Sequence, residues 1–465
     1  MRGYAHFIRS SMAAAILLGL LGPIPAGADP VEVACIDTGV SVRSDLIRSE
    51  RLLAGQSYVQ GQTGTEDHVG HGTRIASLIL GTTDGTIPAP GQETFLVPLV
   101  YYTKLASGAV QNGGIEALCQ AIYDAVDVYQ CRIINISSGI PGESSVLAQA
   151  VAYAEAKNVL VVAAAGNDGK SLHAPASCPT VIGVGSHDQE GNPSVFSSRG
   201  EGLTLLAPGE ALQVLSIRND TEYEWISGTS YAAARVTAEA AALLEQYPDL
   251  TTGELRFLFK KSCYDTGSPG WDPASGYGCF APDLLSQNAS ALHRGELLCY
   301  LDVQPEDRSY PAIKAMTALG VVQGTEEHIF SPDRPITRAA LVTMLYRMAG
   351  CPGVEVQAAF ADTVPGAWYE EAVFWAVSQG LIGVWGNDCI GPEDFITWEQ
   401  LTAMLQTFCE RCPFRRETAG EPSGSSDEAG AIRRDTVQEI LPSPSRYVRR
   451  EEAAMALACI HRQFS

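Results

Sequence analysis

The sequence predicts an α/β domain with a mostly parallel sheet, followed by a small, mainly α-helical repeat domain. Three observations carry this. From about residue 31 to 285, apolar runs alternate with helical patterns. Buried strands alternating with helices imply a parallel sheet covered on both faces, hence three layers. Beyond 298 a helical pattern recurs at a fixed offset of 60 residues, which marks duplicated supersecondary units. At 465 residues the chain is also long for one domain.

Residues 1–28 carry Arg2, His6 and Arg9, an apolar run over 12–21, and then Ala26, Gly27 and Ala28. This is the pattern of a secretory signal peptide cut after Ala28. An uncleaved anchor is the alternative, but the run is shorter than the about 20 residues a membrane span requires. No later segment is long and apolar enough to span, so no membrane span is expected after removal of the signal. The net charge is −22, with 53 acidic against 31 basic residues. Such a balance disfavours nucleic acid and anionic membranes as partners.

Twelve cysteines in a secreted chain raise the question of disulfides. Cys35 and Cys131 sit in or beside apolar strands and Cys119 in a helix, as buried thiols do. Cys263 and Cys279 flank a Gly/Pro loop and could pair. Cys409-x-x-Cys412 is a redox or half-zinc spacing without a partner pair or a thioredoxin-like context. A metal-dependent hydrolase is not expected: His68 and His71 are three apart, but no HExxH or carboxylate-rich motif accompanies them.

Apolar runs at 31–36, 132–136, 159–165, 180–184 and 203–207 predict strands, and patterns at 74–80, 114–129, 145–157 and 230–246 predict helices. Sites in such sheets lie beyond the carboxyl ends of the strands, where Asp37 and Asn167 fall. Gly228-Thr229-Ser230 turns into an alanine-rich helix, which places Ser230 at a helix N-terminus. Taken alone, Ser230 reads as readily as that helix's N-cap. His71 opens another helix. An Asp at a strand end with a His and a Ser at helix starts supplies orienting carboxylate, base and nucleophile.

These motifs resemble those of the subtilisin-like serine proteases, or subtilases, over about 31–285. The carrying residues are Asp37-Thr38-Gly39, His71-Gly72-Thr73, Gly228-Thr229-Ser230 and Ala164-Ala165-Gly166-Asn167, in family order. The resemblance implies a subtilisin-like three-layer domain over 29–290 and a catalytic set of Asp37, His71 and Ser230, with Asn167 in the oxyanion hole. It also implies that Ser137-Ser138-Gly139 and Ala164-Ala165-Gly166 wall the pocket for the side chain before the cut. Small residues there leave room for a large apolar group. Asp168 could add a basic preference, although a solvated loop residue is the plainer reading. No cofactor is needed for catalysis, and structural calcium has no identified ligands. The sequence departs from the family pattern at several points. Eight residues, 29–36, separate the signal cut from Asp37, which leaves no room for a propeptide, and the segment that often helps bind calcium is missing. Tyr231 replaces the usual Met, Arg74 a second His, and Ala234-Arg235 the usual Pro-His.

In the second part, Asp302, Gly320, Pro332, Ile336, Thr337, Leu341 and Leu345 recur at Asp362, Gly380, Pro392, Ile396, Thr397, Leu401 and Leu405. A third copy is echoed by Val448-Arg449-Arg450-Glu451. Through Tyr310-Pro311-Ala312-Ile313, Phe330-Ser331-Pro332, Ile336-Thr337-Arg338-Ala339 and Trp368-Tyr369, these units resemble S-layer homology repeats. The predicted organisation is repeat 1 over 298–350, repeat 2 over 358–412, a Gly/Ser/Glu linker over 413–430 and a degenerate repeat 3 over 431–465. The resemblance implies binding of cell-wall polysaccharide, with Arg338 and Arg450 as contact residues and Trp398 standing in the second copy's Arg position. A helical appendage without wall affinity is the structural alternative.

The expectation is a secreted, wall-attached serine endopeptidase acting on proteins or peptides. The rivals are a wall-anchored pseudoprotease or binding protein, and a maturation protease of narrow specificity.

Overall fold

The structure is a computed structural model that describes residues 30–464 except 105–106, 218–221, 269, 327, 355–359 and 412–444. The expected signal segment, the linker, Cys412 and the start of the third repeat lie outside the described residues. The chain forms two compact units, Met1–Leu297 and Leu298–Ser465.

In the first unit the central sheet has nine strands: β1 (Val31–Asp37), β2 (Gln56–Ser57), β3 (Thr94–Val100), β4 (Ile133–Ile136), β5 (Leu160–Ala164), β6 (Val181–His187), β7 (Leu203–Pro208), β8 (Cys263–Tyr264) and β9 (Cys279–Phe280). Their order is β8-β9-β7-β6-β5-β4-β1-β3-β2, and every pair is parallel except β8 with β9. Successive side chains point to opposite faces. Ala34, Ile36, Val97 and Leu99 therefore face helices α2 (Ile115–Asp127) and α3 (Ser145–Ala156). Cys35 and Leu96 face α1 (His71–Leu80) and α4 (Thr229–Gln246), where they meet Ile75, Ile79, Tyr231 and Ala234. The five predicted strands and four predicted helices are all present, with ends that differ by at most three residues.

Among the strands that the sequence reading did not include is β3, whose apolar run Pro98 interrupts; proline is rare inside sheets. The strand tolerates it next to the two-residue β2, which leaves the ladder short on that side. One expectation needs correction. Cys263 and Cys279 are both free thiols. The β8–β9 register sets Cys263 opposite Phe280 and Tyr264 opposite Cys279. The two sulfurs thus leave opposite faces of the ribbon, a geometry that forbids the pair.

In the second unit the sequence offset is reproduced in atoms. Asp302 accepts from the backbone N–H of Phe330 (2.8 Å) and Ser331 (2.6 Å). Asp362, sixty residues on, accepts from Ile390 (3.0 Å) and Gly391 (2.7 Å). Helices Arg338–Met348, Trp398–Arg411 and Arg450–Phe464 begin at equivalent points of the three copies. Just before them the chain closes a ring. Ile336 N donates to Val448 O (2.9 Å), Val448 N to Ile396 O (2.8 Å), and Ile396 N to Ile336 O (3.0 Å). Around the ring one apolar core takes side chains from all three copies, including Leu341, Leu345, Leu401, Leu405, Ala454 and Leu457.

Candidate active site

The site is assembled where β1 ends and α1 and α4 begin. Asp37 closes β1 and is 2 % exposed. Its Oδ1 accepts from Thr38 N (2.7 Å), and both carboxylate oxygens face His71 Nδ1, at 2.7 and 2.9 Å. The contact fixes the tautomer, because a carboxylate only accepts and Nδ1 must therefore carry the proton. Gly72 makes the approach feasible: a Cβ there would collide with Gly39 O, and its N–H bonds Thr38 Oγ1 at 2.7 Å. Burial pushes the His71 imidazole towards neutrality, but the Asp37 carboxylate outweighs it and its pKa lies above the usual 6.5.

Ser230 is the second residue of α4 and is buried. Its N–H has no acceptor within the helix, as at every helix start. Asn167, in the loop just after β5, accepts at Oδ1 from Thr229 N and Thr229 Oγ1, both at 2.9 Å. A backbone N–H can only donate, so this anchor assigns the amide oxygen and leaves Nδ2 as the donor end. The Ser230 hydroxyl donates to Ser137 O at 2.9 Å rather than to His71. A buried chain, Thr237 Oγ1 to Asn135 Oδ1 (2.9 Å) and Asn135 Nδ2 to Ser137 Oγ (2.8 Å), ties α4 to the end of β4.

Several residues here have no counterpart in the sequence reading. Asp67, 3 % exposed, accepts from the backbone N–H of Val69, Gly70 and Thr73 and from Thr73 Oγ1, at 2.7–2.9 Å. It holds the turn that delivers His71, and an Asp three residues before a turn glycine is the only local trace of it. Two of the departures from the family pattern, Arg74 and Tyr231, turn out to be neighbours. The Tyr231 ring lies 5.5 Å from the His71 ring, with Arg74 in hydrogen-bond reach of its hydroxyl. Burial pushes the Tyr231 phenol up to about 12, so it stays neutral. Arg74 Nε is 2.7 Å from Glu224 Oε1 on the Tyr223–Ile226 strand. No expectation paired these groups, because they lie 150 residues apart in sequence.

The predicted pocket walls lie beside the serine. Ser137 touches Ser230 through both main chain and side chain, at 2.9 and 3.5 Å. Gly166 N bonds Thr229 Oγ1 at 3.2 Å. The recess is not bounded by small residues alone, however. Residues 173–174 pair with 140–141 and put the His173 imidazole against both glycines.

The model of the Subtilase family matches residues 28–278. The chain belongs to the subtilase family. The subtilase region is followed by an S-layer homology domain, matched over residues 300–341. The subtilase is 34 % identical over 242 residues to subtilisin BL of Lederbergia lenta, covering 51 % of this chain and 85 % of that protein. It is 31 % identical over 250 residues to the minor extracellular protease Epr of Bacillus subtilis strain 168, covering 53 % of this chain and 37 % of that one. Among solved structures it is similar to fervidolysin from Fervidobacterium pennivorans, with 27 % identity and a TM-score of 0.49, over 56 % of this chain and 43 % of that one. Its subtilisin relatives and family place it among the serine endopeptidases. Among the described residues, no group of three or more His, Cys, Asp or Glu converges as a metal site, and no helix is long and apolar enough to cross a membrane.

Arg338 and Arg450, expected to face wall polymer, are 6 % and 7 % exposed. Each reaches into the loop of another copy. Arg338 Nε donates to Gly391 O at 3.2 Å, with its guanidinium 4.5 Å from the Trp385 ring. Arg450 donates to Phe330 O (2.8 Å) and Gln323 O (2.7 Å). Both side chains serve first as bolts between copies, because a buried guanidinium must spend its donors on fixed acceptors.

Proposed function

We propose that this subtilase cleaves peptide bonds through Asp37, His71 and Ser230 and is held at the cell wall by its S-layer homology repeats. The carrying observation is that His71 Nδ1 faces both oxygens of a buried carboxylate while Ser230 heads the neighbouring helix. With Nδ1 protonated, Nε2 is the free base. It takes the Ser230 proton as Oγ attacks the scissile carbonyl, and returns that proton to the leaving amine. Water then attacks the acyl-enzyme by the same relay. Asn167 Nδ2 and Ser230 N–H donate to the oxyanion, where the positive end of α4 adds to the stabilisation. The bond from Ser230 to Ser137 O is the resting position of a hydroxyl that turns to His71 when substrate fills the cleft, since such bonds tighten in the bound complex. Arg338 and Arg450 would support wall binding by fixing the inter-repeat loops that carry exposed groups such as Trp385.

A second reading, a wall-anchored pseudoprotease, draws on the same Ser230–Ser137 bond and on Arg74 and Tyr231 beside His71. Labelling with a fluorophosphonate decides between them. The unmodified chain is expected to label and Ser230→Ala is not. A folded chain that takes no label refutes the proteolytic reading.

A further inference from the structure

Two residues at which the sequence departs from the family pattern complete a closed chain of contacts around His71. Asp37 holds His71 at Nδ1, and a contact at one ring nitrogen leaves the plane of the ring free to tilt. The Tyr231 ring supplies a second constraint. It lies 5.5 Å from the His71 ring, with the planes inclined by 48°. It also lies against the turn that leads into Ser230. A Cβ built on Gly228 would come 3.3 Å from Tyr231 Cε2 and 3.6 Å from Asn167 Nδ2. One buried ring thus borders the imidazole, the turn before the serine and the surroundings of the Asn167 amide.

The Tyr231 ring is itself held. A buried hydroxyl needs a hydrogen-bond partner, and Arg74 provides one. An arginine only donates, so the phenol oxygen accepts. Arg74 is fixed in turn by Glu224, whose Oε1 is 2.7 Å from Arg74 Nε; the two side chains are 14 % and 17 % exposed. Charge-assisted bonds of this kind are short and strong. Arg74 stands three residues after His71 in α1, and residues at that spacing are neighbours on one face of a helix. The contacts therefore run from His71 to Tyr231, on to Arg74, and back through one turn of α1 to His71. They tie α1, which begins with His71, to α4, which carries Ser230. Glu224 adds the strand Tyr223–Ile226, pinned at its start where Tyr223 Oη donates to Asp84 Oδ1 at 2.7 Å.

We propose that Tyr231, held by Arg74 and Glu224, is a positioning residue for the reaction, setting the plane of the His71 imidazole and the aim of its Nε2 at Ser230. A misplacement of about 1 Å costs on the order of a hundredfold in rate. The effect on rate rests on the proteolytic reading, but the effect on the imidazole does not, so the two are tested apart. Rates are measured on a neutral peptide anilide at a pH above the pKa of His71. Tyr231→Phe keeps the ring and loses the bond, and should lower kcat about tenfold while KM stays within about twofold. Tyr231→Leu removes the flat ring as well, and should lower kcat about a hundredfold. Glu224→Ala should match Tyr231→Phe, whereas Glu224→Gln, which keeps an acceptor for Arg74, should retain about a third or more of the parent kcat. Tyr231→Phe combined with Glu224→Ala should lose no more than either alone, because both open the same chain of contacts. In the full chain carrying Ser230→Ala, the Nδ1–H proton of His71 is followed by NMR and assigned by its loss in His71→Ala. Its exchange with water should quicken about fivefold or more on adding Tyr231→Phe. In an active parent, kcat unmoved by Tyr231→Phe, a loss carried by KM, or losses that multiply in the double variant overturns the inference, and so does an unchanged exchange rate. If the parent cleaves no anilide but the exchange responds as stated, the proteolytic reading falls and the placing of the imidazole by Tyr231 stands.

Discussion

Arg74 shows what one side chain does to the chemistry of another. Its positive charge lowers the proton affinity of His71, working with burial and against Asp37 and Asp67. In the proposed mechanism His71 acts as a base only when neutral, so activity should fall as pH drops through its raised pKa. Replacing Arg74 with Gln removes the opposing charge, lets the pKa rise further and moves the acid limb of kcat/KM to higher pH. The check is a pH profile on a neutral peptide anilide, and an acid limb left in place or moved lower contradicts the argument. The motif residues Asp37, His71, Ser230 and Asn167 were legible because each stands at an element end with a short, chemically constrained neighbourhood. His173, Asp67 and Glu224 were not. Their meaning arises from partners brought together by the fold, and nothing in their immediate sequence separates them from ordinary loop residues.

An element can be placed by a single carboxylate, and Asp67 does this for α1. It meets four donors at the start of the helix, three of them backbone N–H groups that no intrahelical bond can satisfy. Asp67→Ala should cost about 2–4 kcal/mol, since buried donors are left unpaired. A urea melt of the full chain carrying Ser230→Ala measures it, and a loss under 1 kcal/mol (a threshold set by ordinary surface changes, about ±0.5) would show that water replaces the carboxylate. Secondary structure was legible in proportion to its regularity. The long buried strands and the alanine-rich α4 announce themselves by pattern. β3 does not, because Pro98 breaks the signal without breaking the strand. The fate of Cys263 and Cys279 depended on a pairing register that composition cannot reveal.

At the scale of the molecule, the 60-residue offset was legible because duplication leaves several residues in step, whereas the closure of three copies into one ring was not. Closure depends on Val448, whose copy matches the others over only a few positions. The ring makes a strong demand. Without residues 446–465, Ile336 N and Ile396 O lose their partners, and the shared core loses Val448, Ala453, Ala454 and Leu457. A chain ending at residue 445 and carrying Ser230→Ala should lose the repeats' cooperative thermal transition and stop co-sedimenting with purified cell walls. The 465-residue Ser230→Ala chain should show the transition and co-sediment. A truncated chain that still sediments would mean that two copies suffice. Because a polypeptide is made from its amino end, every residue of the protease unit exists before Val448 does. If the repeats hold the chain at the wall as proposed, a chain interrupted or clipped short of Val448 would have all the residues of its cleft but an open ring, and would not be retained.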